Sequence, residues 1–205
     1  MTNKNRIVSL AVVALLLAGG AAVSMKKDTN SMQQAIPQTN TYAVSHSDRP
    51  VYSDLKDLRE ACDLIFVGTV EGTTGTRNLA RDPKNPELED PNVYSEGIDY
   101  KVKVDEVLKG QADSSVTVIV QKQSKPGPDK PMQIDEHYIP LDAGGAYIFF
   151  VRKSTISNRY FSAGDPFFFK IENNKAVLKS TEKELLKIYQ PQDLNVFKKV
   201  VKEGK

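Results

Sequence analysis

The sequence predicts a mostly β domain, a small barrel or sandwich, carried behind a segment that crosses a membrane. Three observations predict it. Five or six short segments of alternating or β-branched apolar residues fall between residues 64 and 178, roughly 115 residues with little helical spacing between them. Helical spacing is found at the two ends of that stretch, at 53–62 and 181–201. Ahead of it all, nineteen uncharged residues, Ile7 to Met25, follow the basic leader MTNKNR and are closed by Lys26 and Lys27.

Composition sets the class. A chain of 205 residues with 40% hydrophobic and 26% charged content fits one folded domain with attached segments. Its 28 basic and 26 acidic residues leave a net charge of +2, without the excess that grips phosphate backbones, so nucleic acid is not an expected partner.

In chain order, residues 7–25 are long enough to span a hydrocarbon core as a helix. Gly19, Gly20, Ala21 and Ala22 make the second half less apolar, and Ala22-Val23-Ser24 suits a small-x-small cleavage site. Residues 1–25 therefore read as a signal peptide or a transmembrane anchor, and either carries the chain across a membrane. The expected location is extracytoplasmic, membrane-anchored or secreted at the cell envelope. No cysteine follows the run to take a lipid. Residues 26–50 are polar, without sustained apolar periodicity, and read as a flexible tether in which His46 is solvated.

The folded domain is expected over residues 51–205. Ser53 or Asp54 caps a short helix that places Leu55, Leu58 and Cys62 on one face. LIFVGTV, 64–70, is nearly continuous in apolar residues, as a strand buried on both faces would be, yet carries Gly68 at its centre. Ile98, Tyr100, Val102 and Val104 alternate with charged residues as a half-buried strand, which EVLKG extends to a turn at Gly110. SVTVIVQ at 115–121 and AYIFFVRK at 146–153 follow. In 160–178, Asn173-Asn174 lies between two apolar runs and marks a tight hairpin, because Asn tolerates positive φ. Thr181 and Glu184 form an expected capping box, and Leu194, Phe197, Val200 and Val201 make a last apolar stripe. Lys198, Lys199 and Lys202 then stand where the helix dipole favours cations.

The order ACDLIFVGTV, YKVKVDEVLKG, SVTVIV and LDAGGAYIFFV resembles the netrin-like family, which includes the tissue inhibitors of metalloproteinases, and is nearest in style to its secreted or membrane-anchored bacterial relatives. The likeness covers residues 55–178. It implies a five- to six-stranded OB-type barrel with a short N-terminal helix and C-terminal helices. In such a barrel the first strand must bend, and Gly68 suits the bend. The position of Cys62 is one where animal members carry a disulfide-bonded cysteine. Cys62 is the only cysteine here, so the expectation is a buried, inert thiol, with pairing between chains as the alternative. Metalloproteinase inhibition in those relatives depends on an N-terminal cysteine, whereas Cys62 is internal.

Two connections draw functional expectations. Residues 71–97 read as a long Gly-, Pro- and Asn-rich loop, in the position of the first ligand loop of such barrels, with Tyr94 its one aromatic. Its Glu87, Glu89 and Asp90 lack the ordered alternation of a calcium loop. Residues 122–140 hold Asp135, Glu136, His137 and Tyr138, a ligand-binding candidate set. Consecutive side chains there alternate in direction, so no metal site and no catalytic group is assigned. With two histidines in the chain, one in the tether, a nucleophile-histidine site has almost no candidates. The sequence therefore points to a non-enzymatic binding module without a cofactor, held at the membrane by its N-terminal segment. Its partner would be an unknown protein or cell-envelope component. The alternatives are an extracellular protease inhibitor, by family analogy, and more remotely a metal-dependent hydrolase around 135–137.

Overall fold

In the computed structural model the backbone of 43–45 and residues 49–204 are described. The anchor or signal run and most of the tether, His46 included, lie outside the described residues. Among the described residues, no helix is long and apolar enough to cross a membrane. The domain is mostly β with short helices at both ends.

The strands are β1 (Ala43–Ser45), β2 (Leu64–Asn78), β3 (Tyr94–Lys109), β4 (Ser115–Lys125), β5 (Gln133–Asp135), β6 (Ala146–Lys153), β7 (Tyr160–Ser162), β8 (Phe168–Glu172), β9 (Lys175–Leu178) and β10 (Gln192–Asp193). The helices are α1 (Leu55–Ala61), α2 (Lys183–Ile188) and α3 (Leu194–Glu203). One path of pairing runs β1-β5-β4-β3-β2-β6-β8-β9-β10, and β7 joins β4 to β6 off that path. This closes β2, β3, β4, β7 and β6 into a ring of five strands, antiparallel throughout except where β4 meets β7. The expected strands are present. The unforeseen β1, β5 and β10 have only two or three residues each, too few for a periodic signal.

Period-two alternation sorts the apolar residues to the two sides of the ring. Leu64, Phe66, Val102, Val118, Tyr147, Phe149, Tyr160 and Phe168 fill its interior. Ile65, Ile148, Phe150 and Phe169 face outward, under Leu58 and Cys62 from the α1 end and Phe197 and Val201 from α3. The 64–70 run is thus buried on both faces, as its composition predicts. Asp54 caps α1 by accepting from the Lys56 N–H at 2.6 Å. The Asn173-Asn174 hairpin between β8 and β9 has φ of 50° and 58°.

Gly68 sits at a register shift in the β2–β3 pairing. Its φ is not positive; what demands glycine is close approach. A Cβ there would stand 2.7 Å from the Lys103 carbonyl oxygen and 2.7 Å from Val102 Cγ1.

Two expectations are corrected. The supposed loop 71–97 is strand at both ends, since β3 already begins at Tyr94 and β2 continues through EGTTGTRN by slipping register at Gly72 and Gly75, whose φ of 143° and 158° other residues rarely adopt. The connection shrinks to residues 79–93 and is tied down from within. Asn78 Oδ1 accepts from the Ala80 and Ser95 N–H groups at 3.0 and 2.8 Å, and its Nδ2 donates to the Val93 carbonyl at 3.0 Å. Second, no capping box forms at Thr181 and Glu184, since α2 starts after Glu182, which makes no side-chain cap bond. Asp193 instead caps α3, accepting from the Asn195 and Val196 N–H groups. Lys198 and Lys202 reach Glu106 on β3 at 2.5 and 2.6 Å, and so fasten α3 to the ring as well as sitting near its C-terminal end.

Candidate functional site: an arginine-rimmed cleft on the open outer face

Because Val118 and Val120 point into the ring, Ile119 between them points out. Pairing sets Ile119 beside Asp99 of β3 on one side and beside Phe161 of β7 on the other. Two residues along β3, Gly97 leaves a gap in this outer face: a Cβ there would lie 2.8 Å from Ile119 Cγ2 and 2.8 Å from Leu79 Cδ2. The absence of that atom lets Leu79, just past the end of β2, fold down onto Ile119. The result is an apolar floor of Leu79, Ile119 and Phe161.

Above this floor lies a cleft of about 330 Å³, within the range of small-molecule sites. Arg49 and Pro50, the 154–157 turn and the Ala163–Gly164 segment complete its walls. Three arginines, Arg49, Arg77 and Arg81, line it, and among the described residues no carboxylate does.

The carboxylates that hold two of these arginines stand behind them. Asp99 accepts from Arg77 Nε at 2.8 Å and from Arg77 Nη2, and also from Arg159 Nε at 3.2 Å. Asp135 accepts from Arg49 Nη2 at 2.8 Å. The Asp99 and Asp135 side chains are 6% and 0% exposed, while those of Arg77 and Arg49 keep 25% and 18%. Hydrogen bonding to Asp99, foremost, raises the Arg77 pKa, so this guanidinium is charged at any working pH. Arg81 is held more loosely, 4.0 Å from Glu89 on the exposed side of the 79–93 connection. A guanidinium has five N–H donors in a planar fork, so the buried partners fix Arg77 and Arg49 in place without using up their donors. Chemically, the cleft offers fixed positive donors over an apolar floor.

The residues singled out in the sequence fall elsewhere. Tyr94 is the first residue of β3, opposite Lys125, and does not line the cleft. Asp135 is buried; it receives the His137 N–H at 2.9 Å and anchors Arg49, and through that arginine it bears on the cleft. Glu136 lies 3.4 Å from His137 Nε2. His137 Nδ1 lies 3.6 Å from Asp165 and 3.5 Å from Glu182, in a small cavity that shares Arg49, Val120 and Phe167 with the cleft. Burial, the larger cause, and Coulombic repulsion from Glu182 and Asp135 push the Asp165 carboxyl up, against the opposing pull of Arg49 and His137. Among the described residues, no group of three His, Cys, Asp or Glu side chains is placed to hold a metal ion. Tyr138 packs against the ring interior, where burial and then its hydrogen bond with Tyr100 push its phenol up.

Cys62 is on the opposite side, under α1. Its Sγ donates to the Leu58 carbonyl at 3.1 Å, and burial pushes the thiol up to about 12 despite nearby Lys109.

Arg77, Leu79, Arg81, Ile119 and Phe161 are the residues that sequence reasoning missed. One signal was present: TRNLAR, 76–81, puts two arginines and a leucine in what otherwise reads as a polar loop. A scan against protein-family models finds no match for this chain, and neither does a search of curated proteins.

Proposed function

We propose that this chain is an extracytoplasmic, membrane-tethered binding module, non-enzymatic, whose five-strand ring is an OB-type barrel with the arginine-rimmed cleft as its ligand site. The cleft is the observation that carries the reading. It lies beside the connection between the first and second ring strands, 79–93, and the turn between the fourth and fifth, 154–159. Those are the two loops with which OB-type barrels take hold of ligands. The ring order β2-β3-β4-β7-β6, with its one parallel pairing, supports the same fold. The location rests on the uncharged run behind a basic leader, and the resemblance to netrin-like proteins agrees with both.

The test compares the protein purified from expressing cells with Ser157→Trp, which fills the cleft from the 154–159 turn. Mass spectrometry of co-purifying small molecules should find a compound class retained by the wild-type protein and lost from the variant. Identical profiles would remove the cleft as the binding site. For location, protease added to intact cells should digest the domain; protection equal to that of a cytosolic marker would overturn the extracytoplasmic reading.

A further inference from the structure

Resting on that reading of the cleft, we infer that its ligand class is a small organic anion: an apolar body, aromatic or aliphatic, bearing one carboxylate or phosphate head. Two features of the cleft, each insufficient alone, converge on this class.

The floor is apolar and open. Phe161 is 41% exposed and Ile156 52%, while Ile119, itself 8% exposed, lies beside Phe161 on the outer face, under no helix among the described residues. Apolar surface of this kind gains free energy when a ligand removes it from water. The rim is positive without a matching negative group inside. Arg77 and Arg159 share the single carboxylate of Asp99, so that cluster alone carries an uncompensated charge. Arg81 adds a further guanidinium, 4.0 Å from a Glu89 whose side chain is 58% exposed. A guanidinium braced by a buried carboxylate loses little conformational freedom when it binds an anion, and it can hold a carboxylate or phosphate through two parallel N–H bonds.

A neutral apolar ligand would leave the rim unpaired and partly desolvated, which costs binding energy. A bare inorganic anion would leave the floor wet. A volume of about 330 Å³ accommodates a fused two-ring body with its head group and excludes an oligomeric chain except at its end. An acyl phosphate or fatty acid at the membrane surface and a free metabolite share this chemistry, and water-soluble probes separate the chemistry from the source.

The experiment titrates the purified full chain with 1-naphthyl phosphate, 1-naphthol and inorganic phosphate, following naphthyl fluorescence for the first two and calorimetry for all three. Naphthyl phosphate should bind at least about tenfold more tightly than either fragment. In Arg81→Gln the advantage over naphthol should shrink while naphthol affinity holds. Equal affinities for naphthyl phosphate and naphthol would overturn the anionic head, and equal affinities for naphthyl phosphate and inorganic phosphate would overturn the apolar body. Either result leaves the cleft itself as a site. If Ser157→Trp binds every probe as the wild type does, the cleft reading fails together with the ligand class. To assign the source, the same titration is repeated with vesicles containing phosphatidic acid: competition with naphthyl phosphate marks a lipid head, and lack of competition marks a free anion.

Discussion

The two outer faces of the five-strand ring receive opposite treatment. On one, Ile65, Phe150 and Phe169 are covered by helices whose own apolar residues, Leu58, Phe197 and Val201, are buried against them. The other carries Ile119 and Phe161, with no helix among the described residues above them and arginines at the border. Both faces come from strands of one ring with the same alternation, so strand patterning does not explain the contrast. The difference lies in what flanks the ring strands: α1 before the ring and α2 and α3 after it close one side, while the other is bordered by the short 154–159 turn between β6 and β7. Ile119 is buried, but Phe161 and Ile156 are 41% and 52% exposed beside fixed charges, which is why the open face reads as the ligand face.

The comparison can be broken in several places, and the sealed thiol should give the largest contrast. Cys62 is 2% exposed and its thiolate is disfavoured by burial, so alkylation by iodoacetamide at pH 8 should be slowed at least about a thousandfold relative to the unfolded chain. Rapid labelling of the folded protein would show that the covered face opens. Next, Phe150→Ala should cost about 3–5 kcal/mol in denaturant unfolding, while Phe161→Ala on the open face should cost about 1 kcal/mol or less. Equal losses would erase the distinction between the faces. Gly68→Ala should destabilise by about 1–3 kcal/mol, because its Cβ would press on the Lys103 carbonyl in the β2–β3 seam; a neutral result would mean the seam yields freely.

The smallest effect concerns how α3 is fastened. Lys198 and then Lys202 hold the Glu106 carboxyl below its ordinary value of 4.5. A carboxylate depressed in the folded state contributes stability above its unfolded pKa and loses it as pH falls through the folded one. The pairs are partly exposed, so Glu106→Gln should lower stability at pH 7 by about 1 kcal/mol or less and flatten the loss on acidification below about 4.5. Unchanged thermal unfolding across pH 3–7 in the variant would show that the pairs add nothing.

Much of the ring was legible in the sequence, because alternation in 98–104 and 116–120 and the doubly buried 64–70 run report directly on which side of a strand is wet. The Asn173-Asn174 turn was legible for a similar reason, since few residues accept positive φ. The extension of β2 was hidden by the same device that permits it: glycine bulges weaken the strand signal while keeping the chain paired. With that extension went the site. Arg77 and Leu79 gain meaning only once pairing sets Arg77 opposite Gly97 and the gap at Gly97 admits Leu79. Phe161 lies in a three-residue strand whose parallel partner is some forty residues away, a contact that local periodicity cannot report. The acidic and histidine cluster drew notice by residue type, but Asp135 turns to Arg49 behind the rim and His137 to Asp165 and Glu182.

The most direct test of the central claim, that the open face and not the covered one takes the ligand, is a paired titration with 1-naphthyl phosphate. Ser157→Trp fills the cleft, and Val196→Trp alters a residue on α3, on the covered side, that is already 56% exposed. Ser157→Trp should weaken binding by at least about tenfold and Val196→Trp should leave it at the wild-type value. Loss of binding in Val196→Trp with full affinity in Ser157→Trp would contradict the claim.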